Sequence, residues 1–200
     1  KTCAIFFLTL LFSLPLGMIV ALLRMSKNRI VSGITRFFIS ILRGTPLMLQ
    51  LLAVTYGPYY LCDLPVARNK LIPVVIAFAI NYAAYFAEIY RGGIESMPVG
   101  QYEAAKVLGY SKGQTFFRIV FPQVCKHILP AVTNEIITLV KDTSLAFVLA
   151  VTEMFTMAKQ IAAAQTSMVP YIAAGIFYYV FNLLVAMIME KIEEKLNYYH

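Results

Sequence analysis

Asn134, Glu135, Thr138, Lys141 and Asp142 all fall inside one long apolar run, Ile128 to Val151. Ionisable groups in such a run are costly unless they are paired or face water, so each is a candidate for chemistry. On a helix, Glu135, Thr138 and Asp142 recur at i, i+3 and i+7 and share one face, and Asn134, Thr138 and Lys141 form a second stripe beside it. The resulting surface carries both charge signs and suits a zwitterion with a separate ammonium and carboxylate. Lys141 and Asp142 are neighbours in sequence and point about 100° apart, so they do not pair with each other within one helix. The same charges also suit a structural role, pairing with Arg43 or with groups on a partner subunit. Both roles stay open.

A second polar stretch, Arg91 to Lys126, stands between long apolar runs. Pro98 sits where a helix can start, because a first-turn residue needs no N–H partner. Gln101 to Leu108 are mostly good helix formers, and Gly109 is placed to stop them in a left-handed cap. Ser111 opens a second short helix, with Gln114 completing a capping box. Pro122 marks the far end, where the chain turns into the next apolar run. Two short helices joined at a sharp glycine turn make a rigid knob suited to a groove in a partner.

The elements that must position these groups are membrane spans. Sixty per cent of the 200 residues are hydrophobic, 14% are charged, and the mean hydropathy is +0.73. Soluble domains lie nearer half apolar and about a quarter charged. The expected fold is all-α and integral to the membrane, a single domain over 1–200. It has about five transmembrane helices, each of about 20 residues, at about 2–23, 37–60, 71–90, 128–151 and 170–189. The stretch 91–126 is the loop between the third and fourth, and 154–169 reads as a helix lying at the outer surface. The formal net charge of +7 could suggest nucleic acid, but the basic residues cluster at the ends of apolar runs, as orientation signals do. Arg24, Lys27, Arg29 and Arg36 mark one cytoplasmic loop, and Arg91, Lys106, Lys112, Arg118 and Lys126 mark another. That places the amino terminus outside and the carboxyl terminus inside. The chain begins without Met inside its first apolar run, which reads as a processed or trimmed start. No small-residue cleavage site ends that run, which argues against a removable signal peptide.

Glu103-Ala104-Ala105, three residues, Gly109, nine residues, Ile119, one residue and Phe121-Pro122 together resemble the EAA loop of ABC importer permeases. The family pattern has Leu where this chain has Phe121. Arg43-Gly44-Thr45-Pro46 and Lys141-Asp142-Thr143-Ser144-Leu145-Ala146, with Glu88, Arg91, Gly92, Gly93 and Ile94 leading into the loop, resemble permeases of the polar amino acid uptake group. The resemblance covers nearly the whole chain. It implies a type I, binding-protein-dependent permease in the bacterial cytoplasmic membrane that works by alternating access. It implies a coupling surface at Gln101, Glu103, Ala104, Ala105, Gly109, Ile119 and Pro122, and it adds Arg43, Thr45 and Ser144 to a substrate path with Asn134, Glu135, Thr138, Lys141 and Asp142. It implies as partners a second permease subunit, identical or paralogous, two cytoplasmic ATP-binding subunits that carry ATP and Mg, and an external substrate-binding protein. The alternatives are the same architecture importing another small solute, or a structural membrane subunit.

Enzyme readings find little support. No G-x-x-x-x-G-K-[ST] occurs, so ATP and its energy must be handled by a partner, and no cofactor is expected on this chain. No H-E-x-x-H occurs either, and His127 and His200 lack a nucleophile and carboxylate on a common face. Cys3, Cys62 and Cys125 are far apart and read as small apolar fillers, not metal ligands.

Overall fold

The computed structural model describes residues 1–196; His200 lies outside the described residues. The fold is 85% helical, and its described residues form nine α-helices joined by short links. Three helices are long and apolar enough to cross a membrane: α1 (Thr2–Arg24), α4 (Leu71–Glu95) and α9 (Val169–Leu196). Around them stand α2 (Arg29–Gly44), α3 (Leu47–Cys62), α5 (Val99–Val107), α6 (Lys112–Thr115), α7 (Phe121–Asp142) and α8 (Met154–Gln165).

α4 is the axis. Of its most apolar window 67% is buried, against 17% for α9, whose open faces carry Ile172, Ile176, Leu183 and Ile188. It packs against α1, α2, α3 and α7. Lipid tails are as apolar as leucine, so helices in a bilayer associate by close packing through small residues. Here Ala77, Ala83, Ala84 and Ala87 line the contact faces of α4, each at most 1% exposed. Two glycines set the distances. A Cβ on Gly17 of α1 would stand 2.8 Å from the Phe86 Cβ, and one on Gly93 of α4 would stand 2.1 Å from Ile128 Cγ2 of α7.

Two of the spans expected from hydropathy are not single helices. The stretch 37–60 is broken: α2 and α3 meet at Thr45–Pro46 with a bend of 111°. Pro46 has no N–H to continue the ladder and pushes the residue before it out of the α region, and Thr45 is extended there at φ −118° and ψ 147°. The stretch 128–151 is helical only to Asp142, after which the chain tightens into a 3₁₀ segment, Thr143–Leu149. At its other end the helix begins earlier than expected. α6 runs through a π-helical turn, Phe116–Val120, straight into α7, with the Phe121 N–H bonded to the Phe116 carbonyl. Pro122, in the first turn of α7, would crowd the carbonyl four residues back, and the wider π turn relieves that clash. What reads as a second short helix is thus the foot of one column from Lys112 to Asp142.

Below the bundle, Glu88 of α4 ties three elements. It accepts from Arg91 Nη2 at 2.7 Å and lies 3.9 Å from Arg24 Nε at the end of α1. Arg24 in turn donates to Ser32 Oγ of α2 at 3.0 Å.

The Gly93 contact yields a stability test. Gly93→Ala should lower the thermal midpoint of the purified protein, because overpacking of this kind costs about 1–3 kcal/mol. In an Ile128→Ala background, where the obstructing methyl is gone, the same substitution should be harmless. Equal losses in both backgrounds would mean that the contact is not the cause.

Candidate functional site

The break between α2 and α3 leaves carbonyls without helical partners, and two amide side chains close them. Gln50 Nε2 donates to the Leu42 carbonyl at 2.8 Å, the Thr45 carbonyl at 3.1 Å and Thr45 Oγ1 at 2.9 Å. Asn81 of α4 donates to the same Leu42 carbonyl at 3.1 Å and to Gln50 Oε1 at 2.9 Å. The Thr45 hydroxyl donates back to the Ile41 carbonyl at 2.8 Å. Thr45, expected on the substrate path, therefore spends its hydroxyl on the break.

The break aims Arg43 at α4. Its guanidinium carbon lies 5.1 Å from the centroid of the Tyr85 ring, a cation–π seat. One turn back along α4, the Tyr82 hydroxyl donates to Asp142 Oδ2 at 2.8 Å. Tyr82 is only 2% exposed, so this bond is sealed from water on the α4 side. Glu135, half-buried one face-repeat before Asp142, lies in the field of both Arg43 and Asp142. One cluster thus holds Arg43, Tyr85, Tyr82, Asp142 and Glu135.

Asn134, Thr138 and Lys141 are exposed on α7. The Thr138 hydroxyl donates to the Asn134 carbonyl at 2.9 Å, and the Ser144 hydroxyl to the Lys141 carbonyl at 2.8 Å. Among the described residues Lys141 makes no ion pair, and Arg43 and Glu135 do not approach within 4.0 Å of an opposite charge; the ion pairs within that distance are those of Glu88 and Arg91. The cluster is electrostatically unfinished within one chain. That suits either a solute or a second subunit.

The first helix of the knob and its glycine stop are built as their sequence suggests. Pro98 is the residue capping α5, which runs Val99–Val107. Gly109 takes φ +78°, with its N–H bonded to the Lys106 carbonyl at 3.1 Å and the Tyr110 N–H to the Ala105 carbonyl at 3.0 Å, a Schellman stop. A Cβ on Gly109 would meet nothing within 4 Å, so its need for glycine is conformational and not one of space. Ser111 and Gln114 close a reciprocal capping box. Ala105 is fully buried, anchoring α5 from beneath, and Gln123 Nε2 ties the knob to α7 through Gln101 Oε1 at 3.2 Å and the Ile119 carbonyl at 2.9 Å. Glu103, Ala104 and Pro122 are exposed, and Ile119 is half-buried. Val99, Val107, Leu108 and Phe117 are 70–88% exposed.

Sequence reasoning missed Gln50, Asn81, Tyr82 and Tyr85, and also Glu153. Glu153 is 1% exposed and accepts from the N–H groups of Phe155 (2.7 Å) and Thr156 (2.6 Å) and the hydroxyls of Thr156 (2.7 Å) and Tyr178 (2.9 Å). It caps α8 and pins that helix to α9. Cys3 and Cys62 are exposed and Cys125 is half-buried.

A bundle with helices long and apolar enough to cross a membrane, whose broken helix sets Arg43 beside α4 and in the field of an α7 carboxylate, and which carries a rigid apolar-tipped knob, has the build of a transport permease. Residues 13–198 match the family described as the binding-protein-dependent transport system inner membrane component, and the chain belongs to that family. Among its relatives are the nopaline transport system permease protein of Agrobacterium fabrum, 38% identical over 98% of this chain and 85% of that protein, and the L-cystine transport system permease protein of Bacillus subtilis, 36% identical over 96% and 82%. The Bacillus subtilis arginine transport system permease protein is 36% identical over 98% and 89%. A solved amino acid ABC transporter superposes with a TM-score of 0.87 at 30% identity, over 97% of this chain and 90% of that one. A methionine ABC transporter in an inward-facing conformation shares the fold, with a TM-score of 0.75 at 14% identity.

The Tyr82–Asp142 bond is testable by a double-mutant cycle. A hydrogen bond to a charged group contributes about 1.5–3 kcal/mol, so Tyr82→Phe should lower unfolding stability on that scale. Its effect should shrink in an Asp142→Asn background. Additive losses would show that the two groups act independently.

Proposed function

We propose that this chain is the membrane-spanning permease subunit of an ATP-driven importer of polar amino acids in the bacterial cytoplasmic membrane. It works as one of a pair, with two ATP-binding subunits inside and a substrate-binding protein outside. The observation that carries this reading is the knob. An exposed helix whose tip shows Val107 and Leu108, stopped by Gly109 and clamped by Gln123, is a shape built to be gripped. A cytoplasmic segment gains nothing from such apolar exposure unless a partner covers it. Gln101, Glu103, Ala104, Ala105, Gly109, Ile119 and Pro122 form or support that coupling surface. ATP and Mg stay with the partner, which performs the hydrolysis.

The substrate class follows from the charge pattern and the relatives. Arg43 and Lys141 offer cations and Glu135 and Asp142 offer carboxylates on α2 and α7, which matches a zwitterion. The relatives' names include L-cystine and arginine permeases. Asn134, Thr138 and Ser144 supply neutral hydrogen-bonding groups on the same helix and its continuation. Nucleotide closure of the partner subunits carries the knob with it, and the column from Lys112 to Asp142 passes the motion to the path. Substrate and nucleotide then bias one equilibrium and influence each other reciprocally.

Orientation is checked with single cysteines in a background lacking Cys3, Cys62 and Cys125. Lys112→Cys should react with an impermeant thiol reagent from the cytoplasmic side and Arg68→Cys from the outside. Reaction of both from one side would overturn the five-span model, and reaction from the reversed sides would overturn the amino-terminus-out arrangement.

Coupling is checked by purifying the complex with its ATPase and binding protein. Gly109→Val places a branched residue at positive φ, a strain of about 1–2 kcal/mol, and Glu103→Lys reverses an exposed charge on the same surface. Both should leave the chain inserted while weakening ATPase association or uncoupling hydrolysis from uptake, so that more ATP is spent per solute taken up. Wild-type behaviour of both variants would remove this stretch from the coupling role.

A further inference from the structure

α2 presents three different faces. Thr35 and Ile39 are buried, turned toward the packing partners α1 and α4. Ile30, Ile34, Phe37 and Ile41 make an exposed apolar face. Arg29, Arg36 and Arg43 are exposed as well, and they recur every seven residues. A seven-residue repeat drifts only about 20° per step on a helix, so the three arginines form one stripe about 21 Å long. Among the described residues, no hydrogen bond or ion pair holds any of them within the chain. Orientation signals near a membrane need no such register. Arg43 has its seat over the Tyr85 ring, and the exposed guanidinium groups of Arg29 and Arg36 need an anion or water.

The upper end of the line has a fixed address. Arg43 sits over Tyr85, in the field of Glu135, beside the Tyr82–Asp142 bond. The lower end reaches the turn after α1, near the Arg24–Ser32 link. We propose that Arg29 and Arg36 continue the path begun at Arg43, forming a cationic wall along which the solute's carboxylate travels between the charged cluster and the α1–α2 end of the bundle. The inference rests on the amino acid permease reading and deepens it. Lipid phosphates could supply the same anionic chemistry, but the stripe is in register with Arg43, which turns toward α4 and the α7 carboxylates. The apolar residues suited to lipid lie on another face of the helix.

The test uses the whole complex, with its ATPase and binding protein, in nanodiscs. In the background lacking native cysteines, Arg36→Cys is treated with an anionic and a cationic methanethiosulfonate of similar size. With Arg29 and Arg43 still flanking it, the anionic reagent should react about tenfold faster. That preference should collapse at molar salt, where the Debye length falls to about 3 Å. Trapping the nucleotide-bound state with vanadate should slow both reagents. Equal rates for the two reagents, or rates indifferent to trapping, would overturn the proposal. Rates that follow the anionic lipid content of the nanodisc instead of trapping would also overturn it, placing the stripe at headgroups. In uptake assays the Arg29→Gln/Arg36→Gln pair should lower the maximal rate about fivefold with KM within about twofold, the pattern of a step after binding. Unchanged uptake would sink the idea. The labelling is read without transport, so a wild-type complex that moves no amino acid would fail the permease reading while the charge preference at position 36 is still decided.

Discussion

A broken apolar helix must satisfy its own backbone, and most of the arrangement follows from how this one does so. Each unpaired carbonyl in a hydrocarbon setting costs several kcal/mol, and the turn at Thr45–Pro46 frees several at once. Gln50 and Asn81 close them with side-chain amides. Because Asn81 belongs to α4, the repair also fixes the broken helix to the axis of the bundle. The break cannot drift without exposing what it has freed. Arg43, two residues before Thr45, is held in place by that constraint.

α4 does two jobs with two kinds of residue. Its alanines and Gly93 let α1 and α7 approach closely. Asn81, Tyr82, Tyr85 and Glu88 recur at i, i+1, i+4 and i+7 and make one polar stripe along it. Each member meets a different element: Gln50 of α3, Asp142 at the end of α7, Arg43 of α2, Arg24 of α1. A helix whose other residues from Leu71 to Ala87 are apolar thereby becomes the part that fixes the mutual positions of its neighbours.

Some of this could be read in the sequence. Hydropathy locates α1, α4 and α9 because length and apolarity are local properties, and the knob is legible because glycine stops and capping boxes act within a few residues. The break at Gly44-Thr45-Pro46 carried a local signal in its proline, but the apolar run on both sides of it reads as one span. The early end of α7 had none, since the tightening after Asp142 keeps helical dihedrals. Gln50, Asn81, Tyr82 and Glu153 were silent for another reason. Beyond the local bonds of Gln50 and Glu153, their partners on other elements lie 31, 39, 60 and 25 residues away, and a lone polar side chain in an apolar stretch does not announce what it will meet. The polar residues of α7 were placed on the right helix, yet Asp142 is engaged by a tyrosine and not by a cation.

The continuity of α6, the π turn and α7 bears on how force could travel. Two short helices and a separate span would meet at loops, and loops absorb displacement. A single column of 31 residues, Lys112 to Asp142, is about 46 Å long at 1.5 Å per residue and transmits it. That column has two weak points, Pro130 inside α7 and the π turn at its foot, where hydrogen bonds are wider and Pro122 gives none. Gln123 bridges just past the π turn to Gln101 on α5 and to the Ile119 carbonyl, so the knob and the column are braced where they would otherwise hinge. At the opposite end, the helix stops at the residue that Tyr82 holds. A displacement of the knob that reaches this end bears on the Tyr82–Asp142 bond and through it on α4, the element to which the broken helix is tied.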